Sequence, residues 1–454
     1  MAMITRTSAF LMNRRRFLAN SAFTVGALGG ASTLLDACIS PASTSSGGTT
    51  TISVMFDPND LSTANINKFM QLNPTIKVKF LASDPIKLAS SIAAGDPPDV
   101  VESAGIPTTP NYAARGLMTN LDPYFASSKL LKVNDLVSIN DAWRFDTSTL
   151  TQGVGPRYGM TKDWSFDYMC WYDKRQFDRA GVAYPSTTTP LTYDQLLDLG
   201  KSLTVHQGGK VQTYGLNWTL ALAPVLQMIA QQNGLLFNSD LTKVDFTTPE
   251  ASKALRWYYD LGMARISNSP LDASTDWEWP LLQAKRLSIA QLGYWFGGEI
   301  ITATDNLPDH VALAPAPVMG TTRISTCGGA VGAWIPQNSR NKDAAWKFFE
   351  FFFGGQPAQD RAKSGFGYPA LKSLVSLQPQ GKPFQQEAFE VSQREAAYFK
   401  VLKYSPYASS NAINSALATS MTAALQNQIS FDAMLVQLNQ SVNLLLQQGQ
   451  EQIG

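Results

Sequence analysis

The stretch TISVMFDPNDLSTANINKFMQLNPTIKVKFLASDPIKLASSIAAGDPPDVV, residues 51–101, carries the pattern that decides the fold. Thr51 to Phe56 is an apolar run that exits into Asp57-Pro58-Asn59-Asp60, which reads as a strand followed by a turn. Ser62 is placed to cap a helix whose apolar face is Ile66, Phe69 and Met70, and Asn73-Pro74 stops it. Ile76, Val78 and Phe80 alternate with Lys77 and Lys79, the period of a strand with one wet face. Leu88 and Ile92 mark a short helix ending at Gly95, and Asp96-Pro97-Pro98 turns the chain into a strand at Asp99-Val100-Val101. Strand, helix, strand, helix, strand at short intervals predicts a largely parallel α/β sheet, because parallel neighbours need crossovers and helices supply them.

The same rhythm returns downstream. Thr192 precedes a helical stripe of Leu196, Leu197 and Leu199, and Asn341 precedes Ala345, Phe348, Phe349 and Phe352, closed by Gly354-Gly355. The tail reads as helix throughout, with one stripe of Ile413, Leu417, Met421 and Leu425 and another of Leu435, Leu438, Val442 and Leu445. No internal repeat is visible.

At 454 residues the chain is long enough for two or three domains, and its 16% charged residues fall below the roughly 25% usual in soluble domains. Lys plus Arg number 36 against 35 Asp plus Glu, so no net field favours a nucleic acid. Two His and three Cys argue against a multi-histidine metal site and a disulfide scaffold, and no cofactor motif is present. The 10 Trp, 15 Tyr and 23 Phe stand out in so weakly charged a chain.

Residues 1–37 read as an export address. Asn13-Arg14-Arg15-Arg16-Phe17-Leu18 resembles a twin-arginine signal, and the uncharged stretch from Ala19 to Leu35 is short and polar for a membrane span. Leu35-Asp36-Ala37-Cys38 resembles a lipobox, which implies a lipid on Cys38 and an anchor on the outer face of the cytoplasmic membrane. The Ser/Thr/Gly-rich run that follows makes residues 38–51 a flexible tether. Cleavage before Cys38 removes Arg6, Arg14, Arg15, Arg16 and Asp36, so the mature chain becomes slightly acidic.

Ordered segments then run along the mature chain: Asn73-Pro-Thr-Ile-Lys-Val, Ile92-Ala-Ala-Gly-Asp-Pro-Pro-Asp-Val-Val, Tyr112-Ala-Ala-Arg-Gly-Leu and Leu121-Asp-Pro-Tyr. Further on come Tyr158-Gly-Met, Trp171-Tyr-Asp-Lys-Arg-Gln-Phe, Ala180-Gly-Val, Tyr214-Gly-Leu-Asn-Trp and Gln283-Ala-Lys-Arg-Leu-Ser-Ile. Tyr294-Trp295, Leu313-Ala-Pro-Ala-Pro, Gly328-Gly329, Lys342-Asp-Ala-Ala-Trp-Lys-Phe-Phe and Gly367-Tyr-Pro-Ala complete the series. In order and spacing they resemble the extracellular solute-binding proteins of ATP-driven carbohydrate importers, the maltodextrin-binding type. The chain departs from that pattern at Met55-Phe56-Asp57, at Glu102-Ser103-Ala104 and at Asp173, which bears on the identity of the solute and not on the fold.

The resemblance implies a two-lobed α/β binding-protein fold with a hinge and a ligand cleft between the lobes. It implies crossings near Lys162–Trp164, Pro315–Ser325 and Ser364–Gly367, an N-terminal lobe of residues 52–162 plus 320–364, and a C-terminal lobe of 163–319 plus 365–454. It further implies a monomer that is not an enzyme and that hands a carbohydrate, expected to be an oligosaccharide, to the transmembrane subunits of an ABC permease.

Sugars present apolar C–H faces and a rim of hydroxyls, so their sites combine flat aromatic rings with planar polar groups. Mixed acid–tryptophan and amide–tryptophan runs meet that need. Asp163-Trp164, Asn217-Trp218, Trp277-Glu278-Trp279, Tyr294-Trp295 and Tyr368 are the candidates, with Asp57 and Glu102 as further hydroxyl partners and Gly329 as a point of close backbone approach. A packing or capping role competes at each of these positions. Trp143, Trp171, Trp257, Trp334 and Trp346 lie in apolar or helical contexts and read as core. Cys170 and Cys327 read as buried free thiols, and His206 and His310 take no assigned role. A polyol or other small polar solute is the alternative ligand, and a secreted glycoside hydrolase or lyase is the alternative class, which would need two carboxylates flanking a glycosidic bond.

Overall fold

Two five-stranded sheets, one for each half of the interleaved chain, replace the single sheet that the opening segment suggests on its own. The structure is a computed structural model and describes residues 48–453; the export signal, Cys38 and most of the tether lie outside the described residues. The first strand begins at Thr50, so the end of the expected tether already belongs to the sheet.

Strand β1 (Thr50–Phe56) lies between β2 (Ile76–Ala82) and β3 (Val100–Ala104), parallel to both. Ser62 caps the helix Thr63–Leu72 through the Asn65 N–H at 3.2 Å, and Ile66 and Phe69 turn inward as their spacing predicts. The sheet is completed by Val331–Trp334 and Gly159–Thr161, and here the parallel expectation fails. Val331 pairs with Ala104, so this strand enters the sheet beside the last residue of β3 and runs antiparallel to it. It arrives from the other half of the chain, without a crossover helix of its own, and its entry point fixes its direction.

The second sheet has the order Val311–Ala314, Met169–Asp173, Leu287–Leu292, Lys210–Leu216, Val205–Gln207, and it too mixes parallel and antiparallel pairs. A two-stranded link, Tyr368–Pro369 against Asp163–Trp164, joins two of the crossing segments.

A phenylalanine layer fills the first lobe. Phe348, Phe349, Phe352 and Phe353, all from the helix Lys342–Gly354, pack on Phe56, Phe69 and the apolar face of β1. Each fully buried ring stabilises the fold by about 1.5–3 kcal/mol. Asn341 occupies the capping position of that helix, but its side chain does not cap; its amide reaches Asp99 Oδ1 at 3.3 Å instead. In the second lobe the helices Pro249–Met263, Ser410–Leu425 and Phe431–Ile453 share one core, and Ile413, Leu417, Met421 and Leu425 all face inward. Trp143, Trp171 and Trp334 are wholly buried, with Trp257 and Trp346 close behind, so the expected core tryptophans are core.

Candidate functional site

A cavity of about 350 Å³ opens between the lobes. One wall is built from the ends of β1 and β3 and the segments that follow β2 and β3, and contributes Met55, Ser83, Asp84, Glu102, Ser103, Thr108 and Tyr112. The facing wall comes from the loop after Lys210–Leu216 and the helix Leu222–Gln231 that it enters, with the start of Ser410–Leu425 and the loop before it, and contributes Ala221, Leu222, Ala223, Tyr404, Asn411 and Asn414. Strands and helix starts deliver these residues because a parallel strand releases its loop, and the next helix, at its carboxyl end.

The two walls are tied beside the cavity. The helix Gly105–Ala114 and the residue after it send Asn111 Nδ2 and Arg115 Nη1 to the Pro406 carbonyl at 2.9 and 2.8 Å, and Arg115 Nη2 to the Tyr407 carbonyl at 3.0 Å. Burial depresses the Arg115 pKa, but with three carbonyls as partners, those of Asn111, Pro406 and Tyr407, the guanidinium remains a cation that clamps neutral backbone.

Behind the wall lies a buried set of charges. Lys162 Nζ bridges Asp60 Oδ1 at 3.0 Å and Asp163 Oδ2 at 2.6 Å. Its burial opposes the charge, but the Asp163, Asp60 and Glu102 carboxyls outweigh that and raise its pKa. Asp57 donates its backbone N–H to Glu102 Oε2 at 2.7 Å, and its own Oδ1 accepts from the Asn59 N–H at 2.8 Å, which shapes the turn after β1. Arg361 lies over the Phe352 ring and donates to the Phe352 carbonyl at 3.0 Å, close enough for its charge to act on Asp163, Asp60 and Glu102.

The residues singled out in the sequence divide sharply. Glu102 lines the cavity, Asp57 reaches Glu102 through its backbone N–H, and Asp163 lines a separate small pocket with Lys162 and Arg361. Gly328, rather than Gly329, faces the cavity; Gly329 offers its carbonyl to the Ile106 N–H at 3.1 Å. Asn217 is wholly buried, with Oδ1 taking the Gln291 N–H at 2.8 Å and Nδ2 donating to Glu278 Oε1 at 3.1 Å, so both ends of its amide are engaged within the second lobe. Tyr294 and Tyr368 are nearly fully buried and stack on each other at 4.8 Å. Trp164 packs against Phe166, Tyr368 and Phe399.

Trp218 is half-buried, edge-on to Tyr258 at 5.7 Å, and its backbone N–H is held by Asn268. Trp295 is half-buried beside Phe296 and Phe366, and Trp277 is 42% exposed with its edge toward Phe296. The sequence reading missed Asp60, Tyr112, Arg361, Tyr404, Asn411 and Asn414. Only Asp60 carried a local signal, as the last residue of the Asp57–Asp60 turn.

A family model described as bacterial extracellular solute-binding protein matches residues 58–356. The chain belongs to that family. Its members bind solutes and are not enzymes, as expected for this chain. No curated protein matches the sequence.

Solved structures share the two-lobed fold. An ABC substrate-binding protein from Listeria monocytogenes, in complex with cycloalternan, is similar at a TM-score of 0.73 and 22% identity, covering 87% of this chain and 98% of that one. A solute-binding protein from Thermotoga lettingae bound with α-D-tagatose gives 0.70 and 20%, covering 88% and 100%. One from Agrobacterium vitis with bound D-mannitol gives 0.69 and 20%, covering 88% and 98%. Among the described residues no helix is long and apolar enough to cross a membrane.

Proposed function

We propose that this solute-binding protein captures an uncharged carbohydrate outside the cytoplasmic membrane and delivers it to the transmembrane subunits of an ABC permease. In this reading it is a monomer held at the membrane by a lipid on Cys38. Residues 52–162 with 320–364 move against 163–319 with 365–454, about the three crossings, to close on the ligand.

The observation that carries the reading is the interlobe cavity, with a carboxyl, hydroxyls and amides from Glu102, Ser103, Thr108, Asn411 and Asn414 set among apolar groups. That mixture suits hydroxyls on a hydrocarbon frame, and the family supplies the transport setting. A volume of about 350 Å³ lies at the small end of ligand sites, which favours one or two sugar rings over a longer oligosaccharide. The same volume supports a polyol as the second reading.

Trp295, Trp218 and Trp277 stand outside the lining of this cavity; half-buried on the second lobe, Trp295 and Trp218 are the proposed ring platforms of the closed form. Calorimetric titration with maltotriose, mannobiose, D-tagatose and D-mannitol is expected to give saturable binding to at least one, without turnover. Trp295→Ala is expected to weaken that binding about tenfold or more, as loss of an aromatic anchor does. Absence of binding across the panel would overturn the carbohydrate reading.

A further inference from the structure

The turn that carries Trp295 and the floor of the interlobe cavity belong to different sheets, and one side chain reaches both. Asp167 lies just before Met169–Asp173, a strand of the second sheet. Its backbone N–H donates to the Thr326 carbonyl at 2.8 Å, and its Oδ2 accepts the Gly328 N–H at 2.7 Å. Thr326 and Gly328 lead into Val331–Trp334 of the first sheet, and Gly328 lines the cavity. Two hydrogen bonds therefore tie the approaches to the two sheets together at the cavity floor. Thr326 is held in turn by its own hydroxyl, which donates to Gln227 Oε1 at 2.8 Å on the helix Leu222–Gln231.

On its other side Asp167 faces Gly293, which follows Leu287–Leu292 and opens the turn to Tyr294 and Trp295. Met169 and Leu292 are partners across the second sheet, which brings the two segments side by side. Asp167 Oδ1 accepts from the Ser165 hydroxyl at 2.7 Å, and a Cβ on Gly293 would overlap that oxygen, the Ser165 hydroxyl and the Trp295 ring at once. Glycine lets the turn close directly over the carboxyl.

The backbone carries the same constraint. Tyr168 has a φ of +60°, a left-handed conformation that a bulky side chain rarely adopts. Its hydroxyl lies 2.5 Å from where a Cβ on Gly328 would stand, so the strained residue packs directly against the cavity floor. Strain of this kind persists only where the surrounding contacts hold it, and it concentrates at binding sites.

We propose that Asp167 is a positioning residue of the binding site: its carboxyl locks the Gly328 peptide of the cavity floor to the Gly293–Trp295 turn, so that floor and ring platform keep one geometry toward a polyhydroxyl solute. Trp295 stands outside the cavity lining, and the lock sets its register against the floor. Asp167 needs no contact with the ligand for this. Its two oxygens accept from two segments at once, and an asparagine could hold the same places with Oδ1 on the Gly328 N–H and Nδ2 on the Ser165 oxygen.

The assignment rests on the reading of Trp295 as a ring platform, but its first test needs no ligand. Fluorine NMR of 5-fluorotryptophan in the full-length protein follows the 10 indoles, with Trp295 assigned through Trp295→Phe. Asp167→Ala is expected to move or broaden the Trp295 signal and to leave that of the wholly buried Trp143 in place. Asp167→Asn is expected to keep the Trp295 signal at its wild-type position. Gly328→Ala presses on the Tyr168 hydroxyl and is expected to move the Trp295 signal from the floor side of the lock. Adding Tyr168→Phe, which removes that hydroxyl, is expected to return it. An unmoved Trp295 signal in Asp167→Ala, or in Gly328→Ala where the first variant does not fold, overturns the lock.

Calorimetric titration with maltotriose and D-mannitol forms the second arm. Asp167→Ala is expected to weaken binding about tenfold or more, the loss that follows when an aromatic anchor is misplaced, and Asp167→Asn to retain wild-type affinity. An asparagine variant as weak as the alanine variant, with its Trp295 signal unmoved, assigns the carboxyl to the ligand itself and overturns the positioning role. If neither sugar binds the wild-type protein, the carbohydrate reading fails while the NMR result still decides the lock.

Discussion

The first lobe and the crossings between lobes are both rich in aromatic rings, but they use them differently. In the first lobe Phe348 stacks on Phe352, Phe349 stacks on Phe353 at 4.3 Å, and Phe56 and Phe69 set their edges against these rings at 5.1 and 5.2 Å. All six are hydrocarbon, and all are buried. At the crossings Trp164, Phe166, Tyr294, Tyr368 and Phe399 meet, and three of the five carry a polar tip. The first group comes largely from successive turns of one helix, whereas the second is gathered from four separate segments. A packed layer needs only shape and area. A joint between lobes has to be assembled from every strand that crosses it, and here its amphipathic rings are packed dry, with the Trp164 Nε1–H and the Tyr368 hydroxyl buried without a partner among the described residues.

The largest effect should fall on the layer. Phe348→Ala is expected to cost about 3–5 kcal/mol in urea denaturation, the range for deleting a wholly buried ring whose neighbours cannot collapse. A loss below about 1 kcal/mol would mean that the layer is not where the lobe draws its stability, and the contrast with the crossings would fail.

The same contrast explains what the sequence disclosed. Helix Lys342–Gly354 was visible because Phe348, Phe349 and Phe352 repeat at helical spacing, and the inward face of Ser410–Leu425 was visible for the same reason. The signature Asp57–Asp60 and Asp99–Val101 segments located both strands that supply the cleft wall. The site itself was legible only in part. Asn217 looked like a sugar ligand because it precedes Trp218, but its hydrogen bonds go to Gln291 and Glu278, which no local pattern announces. Lys162 meets Asp60 across about a hundred residues of chain, and Arg361 joins from a third segment, so a cluster that is plain in space has no counterpart in spacing. Asn341 shows the same limit at a single residue. It sits where a cap belongs, yet its amide serves the buried Asp99, because satisfying a buried carboxylate outweighs capping an end that water already reaches.

A second prediction sharpens the comparison with tryptophans alone. Trp143 is wholly buried, donates Nε1–H to Thr161 Oγ1 at 3.1 Å, and is pressed so closely that a Cβ on Gly105 or Gly159 would overlap its ring. Trp143→Phe removes the donor, strands the Thr161 hydroxyl and leaves a void that glycine neighbours cannot fill. It is expected to cost about 2–3 kcal/mol in the same denaturation experiment. A cost near zero would show that the pocket relaxes around the smaller ring.

Trp164→Phe is the matched substitution at the crossings and should have the smallest effect. Trp164 is half-buried, and its Nε1–H is buried with no acceptor among the described residues. Phenylalanine removes that unsatisfied donor while keeping a ring against Phe166, Tyr368 and Phe399. Lost area and relieved desolvation oppose each other, so the change in unfolding free energy is expected to stay within about 1 kcal/mol. The pair therefore separates two roles of an indole: one whose N–H is part of the fold, and one whose donor faces no partner among the described residues. If Trp164→Phe costs as much as Trp143→Phe, the crossings are packed as tightly as the lobe interior, and the aromatic joint is simply more core.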